Sequence, residues 1–255
     1  MQDPRMDKLA EMLIDYSVEL KQGEIIYFEF KGLETLDLGR KLIECATKAG
    51  GVPFWYYNDE NVSRHFARHA SQDQFEKWGE FHRGIMEKAD AYITLRGSSN
   101  PFDHADVDED RMKWYSTAYW SQIHSYRVSN TKWCVLRYPN PSMAILAQQA
   151  TEPFEEYYYR VCTLDYPKLS RAMTPLVDLL ANTDRVEIKG PGTDISFSVK
   201  GIGAVKCDGR RNVPDGEVYS CPVRDSVNGE ITYNAASMYQ GVLFRDVRFE
   251  VKDGK

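Results

Sequence analysis

The feature that most constrains this chain is a change of rhythm near residue 184. Up to about Thr183, short apolar runs of strand length alternate with longer stretches of helical spacing. Leu9, Met12, Leu13, Tyr16 and Leu20 recur as one face of a first helix, and "EIIYFEF" follows as an aromatic-rich strand. Leu38, Leu42, Cys45 and Ala49 mark a second helix that ends at Gly50-Gly51. "VPFWYY", "DAYITL" and "TKWCVLRY" are three further strands, separated by helical stretches around Phe75 to Lys88 and Asp108 to Arg127. Strands joined by helices of this length imply crossover connections and a mostly parallel sheet. The expected fold class is therefore α/β, an open, mostly parallel sheet with helices on both faces.

Residues 141–183 read as helical again, with a break near Asp165-Tyr166-Pro167 and a start at Thr151 as N-cap with Pro153 in the first turn. After Asp184, "RVEIKG", "DISFSVKG", "EVYSCPV", "EITYNA" and "VLFRDVRFEVK" are short alternating runs separated by Gly, Pro and Asn. The Asn228-Gly229 pair between two such runs predicts a tight hairpin turn. These features divide the chain into an α/β domain over residues 6–184 and a β-rich second domain over 185–255. The second has almost no helix to cover its strands and is expected to be the truncated start of a larger domain. The opening "MQDPR" reads as an expression remnant ahead of a natural start at Met6.

Composition narrows the function classes. A formal net charge of -6 lacks the basic excess of a nucleic-acid-binding protein, so no nucleic-acid partner is expected. No apolar run approaches the roughly 20 residues needed to span a bilayer, so no membrane association is expected either. Five dispersed cysteines, Cys45, Cys134, Cys162, Cys207 and Cys221, have no CxxC spacing and predict reduced thiols in a cytoplasmic protein.

Candidate chemistry is sparse. His65 and His69 have the i, i+4 spacing of a shared metal site but lack the glutamate of HExxH, so a solvated helix face with Arg64 and Arg68 is expected. His82, His104 and His124 stand alone. Glu152, Glu155 and Glu156 crowd a helix start, where carboxylates complement the helix dipole. "LRGSSNP", following the third strand, sits where open α/β sheets bind ligands but contains neither GxGxxG nor GxxxxGK[ST]. No GxSxG elbow marks a serine nucleophile.

Glu217 is the outlier. It follows a Pro-Asp-Gly turn and opens a strand-like run in which it shares a face with Tyr219, Cys221 and Val223. A carboxylate there is either an exposed edge acid that deters aggregation or a rigidly held ligand for a cation.

The stretch "NVPDGEVYSCPVRDSVNGEITYN" followed by "LFRDVRFEVKDGK" resembles the thermophilic-type metalloaminopeptidases of peptidase family M29. "LRYPNPSMAILAQQATEPFEEYYYRVCTLDY" and "GTDISFSVKG" agree with it in the same order. The resemblance covers roughly the second half of the chain. It implies an α/β domain followed by a catalytic domain with two divalent metal ions (Zn, Co, Mn or Mg), peptide substrates and a homodimer. In the family motif N-x-P-x-G-E the glutamate is a metal ligand; here the motif is Asn212, Pro214, Gly216 and Glu217. The family's remaining ligands, a glutamate, two histidines and an aspartate, lie further along, whereas every histidine here precedes residue 125. The expectation is an N-terminal portion of a metalloaminopeptidase, with Glu217 as its metal ligand, no catalytic acid or base, and no activity of its own. Two alternatives accompany it: a non-catalytic α/β dimerisation or binding module, and a separate α/β enzyme using "LRGSSNP" or the end of the fourth strand.

Overall fold

The computed structural model describes residues 3–100, 102–239 and 242–255. Two compact units are distinguished, Met1–Leu164 with Gly209–Asp215, and Asp165–Asp208 with Gly216–Lys255.

In the first unit, β1 (Ile25–Lys31), β2 (Val52–Asn58), β3 (Ala91–Arg96) and β4 (Lys132–Arg137) coincide with the four apolar runs. They form a parallel sheet in the order β2-β1-β3-β4, to which β8 (Asn212–Val213) adds beside β4. β1 and β3, covered on both faces, need mostly apolar side chains throughout, which is why their runs are continuous rather than alternating, whereas the edge strand β2 leaves Val52, Phe54 and Trp55 exposed. One face packs on α1 (Arg5–Met12), which continues in a π-helical turn over Leu13–Ser17, and on α2 (Leu36–Lys48). Ile26, Phe28 and Phe30 of β1, Ile93 and Leu95 of β3, and Leu9, Leu13, Leu38 and Leu42 are fully buried there. The opposite face carries α3 (Glu60–His69), α4 (Gln72–Met86), α5 (Glu109–Trp114) and α6 (Ser121–Asn130). Its core is richer in rings, including Tyr27, Phe75, Tyr92 and Tyr119. A π-helical turn, Tyr115–Trp120, joins α5 to α6. The unit also includes α7 (Pro141–Leu146) and α8 (Thr151–Cys162).

The second unit begins with α9 (Tyr166–Ala181) and continues with β5 (Arg185–Gly190), β6 (Thr193–Ser198), β10 (Asn228–Tyr233) and β13 (Val247–Val251). These four strands form an antiparallel sheet in the order β13-β10-β6-β5. Two ribbons accompany it, β7 (Val205–Cys207) with β9 (Glu217–Tyr219), and β11 (Ser237–Tyr239) with β12 (Val242–Phe244). The molecule thus has the expected α/β class, with a mostly parallel sheet and a β-rich second part.

Several local expectations change. Asn228-Gly229 is not a hairpin turn but the first two residues of β10, paired with Ser196 and Ile195. Gly229 adopts φ +122°, and a Cβ there would lie 2.1 Å from the Asp194 carbonyl oxygen. The glycine therefore permits a close strand approach, not a reversal. The N-cap of α8 is Ala150 rather than Thr151, and no side chain caps it. "VLFRDVRFEVK" splits into β12 and β13 at Asp246, whose φ of +51° breaks the strand. Of the supposed remnant, Met1 and Gln2 lie outside the described residues, but Arg5 opens α1. Its guanidinium donates to Asp3 and, at 2.6 Å, to Glu156 of α8, and lies over the Tyr159 ring. Asp3 and Arg5 thus take part in the fold.

Candidate functional site

Glu217 begins β9, and three of the residues before it prepare its position. After β8 the chain passes Pro214 and Asp215, and Gly216 holds φ +150°. Few residues with a Cβ adopt that angle, so the family-type glycine is a backbone requirement immediately before the carboxylate. β9 then pairs antiparallel with β7, Glu217 opposite Cys207, Val218 opposite Lys206 and Tyr219 opposite Val205.

Glu217 and Tyr219 are exposed, and β9 ends at Tyr219. The run "EVYSCPV" is therefore a three-residue strand, and Cys221 and Val223 lie past its end, both exposed. The carboxylate does not sit on a buried apolar face. It projects from a short, laddered segment toward solvent, available to a cation.

A second carboxylate stands one residue beyond the strand partner of Glu217. Asp208 is buried and accepts a 2.7 Å hydrogen bond from the Ser170 hydroxyl of α9. Lys206 Nζ donates to the Ser170 carbonyl at 3.1 Å, fixing β7 to the same helix. Nothing in the sequence around Asp208 signals its burial, because the helix that partners it lies 38 residues away. Among the described residues, no group of three or more His, Cys, Asp or Glu is placed to hold a metal ion. The residues at hand thus fit one hard oxygen ligand, Glu217, and do not by themselves fit a two-metal centre.

The other candidates are dispersed. His65 and His69 are both exposed on α3, and the neighbouring Arg64 donates to Asp106 through Nε at 2.8 Å. His82 is buried in α4, with Nδ1 2.8 Å from the Tyr119 hydroxyl, and burial pushes its pKa below the ordinary imidazole value. His104 lies against Tyr115 and His124 stacks on Trp120. Glu156 is paired with Arg5, and Glu152 is exposed in the first turn of α8. In "LRGSSNP", the Gly97 amide donates to the Lys31 carbonyl and the Ser98 carbonyl accepts from buried Asn140, so the loop is tied to β1 and to the start of α7. Ser98 and Ser99 line a cleft of about 230 Å3 at the carboxyl ends of β1–β3, together with Gly32, Asp59 and Asp103; Pro101 lies outside the described residues.

One charged feature is absent from the sequence reading altogether. Glu29, inside the apolar run of β1, is 8% exposed. Its carboxylate accepts from the Tyr92 hydroxyl and lies 3.2 Å from Lys31 Nζ. Burial alone would raise its pKa, but the Lys31 charge and the Tyr92 hydroxyl more than reverse this and hold it below the ordinary value. The signal available in sequence was a Glu and a Lys two apart on a strand, hence on one face.

Residues 2–255 match the family described as thermophilic metalloprotease (M29). No curated protein matches the sequence. Among solved structures, wild-type AmpT from Thermus thermophilus superposes with a TM-score of 0.80 at 20% identity, over 98% of this chain and 69% of that one. The 2,5-dihydroxypyridine dioxygenase of Pseudomonas putida KT2440 superposes with a TM-score of 0.53 at 11% identity, over 100% of this chain and 67% of that one. At such identities the likeness is one of fold, and the second protein carries a different chemistry on it.

Proposed function

This chain belongs to the thermophilic metalloprotease (M29) family, and from that membership we propose that it is the amino-terminal portion of a metal-dependent aminopeptidase acting on peptides. The observation that carries the reading is the family match through residues 2–255, which includes the Asn212–Glu217 motif. In it Glu217 is one metal ligand. Its exposure at the head of a laddered strand, behind a glycine at φ +150°, supports the role, since a ligand on a rigid element loses little freedom on binding.

Two divalent ions would supply Lewis-acid polarisation of the scissile carbonyl and a water of lowered pKa. The described residues do not complete such a centre, and no step is assigned to them through it. The contribution of this chain's own atoms is the Glu217 carboxylate, a hard donor suited to Zn, Co, Mn or Mg. The other ligands and the general acid or base are assigned to polypeptide outside these 255 residues, and the chain alone is inactive. The domain division proposed for the enzyme is residues 6–184 for the α/β domain and 185–255 for the start of the catalytic domain. A homodimer and a cytoplasmic setting complete the reading; the five free cysteines accord with a reducing compartment.

The test is metal binding and amino-acid anilide hydrolysis by the natural gene product, with Glu217→Gln beside the wild type. The variant is expected to weaken metal affinity by more than the ~10- to 100-fold that outer-sphere changes cost, with its fold intact by circular dichroism. Unchanged affinity in Glu217→Gln would remove it from the site, and turnover by the 255-residue chain alone would refute its inactivity.

A further inference from the structure

The ring-rich face of the first unit's sheet ends in a row of cations. In the strand register Lys31 of β1 is opposite Arg96 of β3, and Arg96 is opposite Arg137 of β4. Each is the last residue of its strand. Paired residues of adjacent parallel strands project on the same face about 4.8 Å apart, so three like charges lie side by side at the carboxyl edge. Exposure increases along the row: Lys31 is mostly buried, Arg96 is half-buried and Arg137 is exposed. The row lies across the β1–β3 boundary. There the strand order reverses, with β2 on one side of β1 and β3 on the other, the position where open α/β sheets take ligands.

A fourth cation stands behind the row. Arg127 of α6 is 3% exposed, and its guanidinium lies 5.2, 5.6 and 5.1 Å from the centroids of Tyr92, Trp120 and Trp133. Lys31 Nζ shares the Trp120 ring at 5.9 Å. Arg127 donates to His124 Nδ1 at 2.9 Å, and burial, Arg127 and Arg96 together lower the pKa of that imidazole. Against these four cations the only carboxylate ion-paired with any of them among the described residues is Glu29, already on Lys31. The side chains of Arg96 and Arg137 have no ion pair among the described residues, and the Nε atoms of Arg96 and Arg127 are buried without an acceptor. The adjoining cleft is lined by the carboxylates of Glu34, Asp59, Glu60 and Asp103; Asp59 caps α3 and Asp103 accepts from Asn100, and among the described residues none of the four is ion-paired with the row.

Like charges directly opposite one another on a sheet destabilise it, and a buried guanidinium N–H without an acceptor adds a desolvation cost. Cation–π contacts offset part of that cost for Arg127 but none for Arg96 or Arg137. We propose that the carboxyl edge of β1, β3 and β4 is a binding site for a small oxyanion, a phosphate or a carboxylate, held by Arg96 and Arg137 with Lys31 and Arg127 behind them. A guanidinium offers forked N–H donors that match an oxyanion, the register sets two of them on adjacent strands, and the exposed Arg137 end of the row admits the ion from solvent. The site is independent of the metal reading, and a Glu217 substitution leaves it unchanged.

The experiment is calorimetric titration and thermal denaturation of the 255-residue chain with inorganic phosphate and, separately, with acetate, sodium chloride holding the ionic strength constant. Phosphate is expected to bind saturably and to raise the denaturation midpoint beyond chloride. Arg137→Gln and Arg96→Met are each expected to weaken that binding by about tenfold or more. Lys77→Gln, a surface cation of α4 paired with Asp73, leaves it unchanged. A purely structural arginine would destabilise the ion-free protein when removed; here Arg96→Met is expected to raise the ion-free midpoint by relieving repulsion. Acetate binding as well as phosphate assigns a carboxylate ligand, and phosphate binding alone assigns a phosphoryl one. A midpoint shift fully reproduced by chloride overturns the proposal, as does wild-type phosphate affinity in both Arg137→Gln and Arg96→Met.

Discussion

β1 and β13 are strands of similar length with opposite settings. Five consecutive residues of β1, Ile26 to Phe30, are buried, because helices cover both faces of its sheet. None of the five residues of β13 is buried, and Phe249 in its centre is 53% exposed. β5 repeats the pattern, with only Val186 half-buried. Apolar character in a strand therefore means different things in the two units. In β1 it measures contact with a core, whereas in β5 and β13 it marks side chains whose removal exposes little new surface.

The comparison is broken most directly by truncation. Phe28→Ala is expected to cost about 3–5 kcal/mol in denaturant unfolding, because its ring is fully buried and stacked on Phe30. Phe249→Ala, at the same chemistry, is expected to cost well under about 1.5 kcal/mol. Equal costs would mean that Phe249 is covered in solution.

The charged interior of the first unit sharpens the contrast. Glu29→Ala leaves Lys31 buried without its partner and is expected to cost about 3–5 kcal/mol. The folded pKa of Glu29 is held below its ordinary value of 4.5. Its contribution is therefore present above pH 4.5 and lost as pH falls through the lower folded value. Buried His82, depressed below 6.5, adds to the loss as pH falls below 6.5, where the unfolded chain takes up the proton first. Below pH 4.5 the stability profile of Glu29→Gln should be less steep than that of the wild type, and identical slopes would contradict the assignment.

In the second unit the backbone carries more of the specificity. Gly229→Ala is expected to cost about 1–3 kcal/mol or more, since its Cβ would collide with the Asp194 carbonyl carbon and oxygen. Arg248→Ala, which removes exposed pairs with Glu230 and Glu250 on the same sheet, is expected to change stability by less than about 1 kcal/mol. A neutral Gly229→Ala would show that β10 and β6 separate more easily than their register implies.

Much of the architecture was legible because it is local. Helical spacing in Leu38 and Leu42 and the apolar runs of β1 and β3 report burial directly, whereas the equally apolar run of β2 has no buried residue because it is an edge strand. The family motif around Glu217 was legible for the same reason, since its turn, its glycine and its carboxylate are contiguous. The Asn228-Gly229 pair misled because a glycine needed for close strand approach and a glycine needed for a turn have the same letter. β8 escaped notice because two residues carry no periodicity.

What the sequence by itself determined is the main strands and helices of the first unit and their order, the family, and the candidate carboxylate Glu217. Only the tertiary structure decided that Glu217 faces solvent, that Glu29 is a buried ion-pair member, and that β8 joins the first sheet. It alone also aligned Lys31, Arg96 and Arg137, which stand 65 and 41 residues apart in the chain. Parallel pairing sets register across crossover helices, and that register depends on how whole faces pack, which no local pattern records.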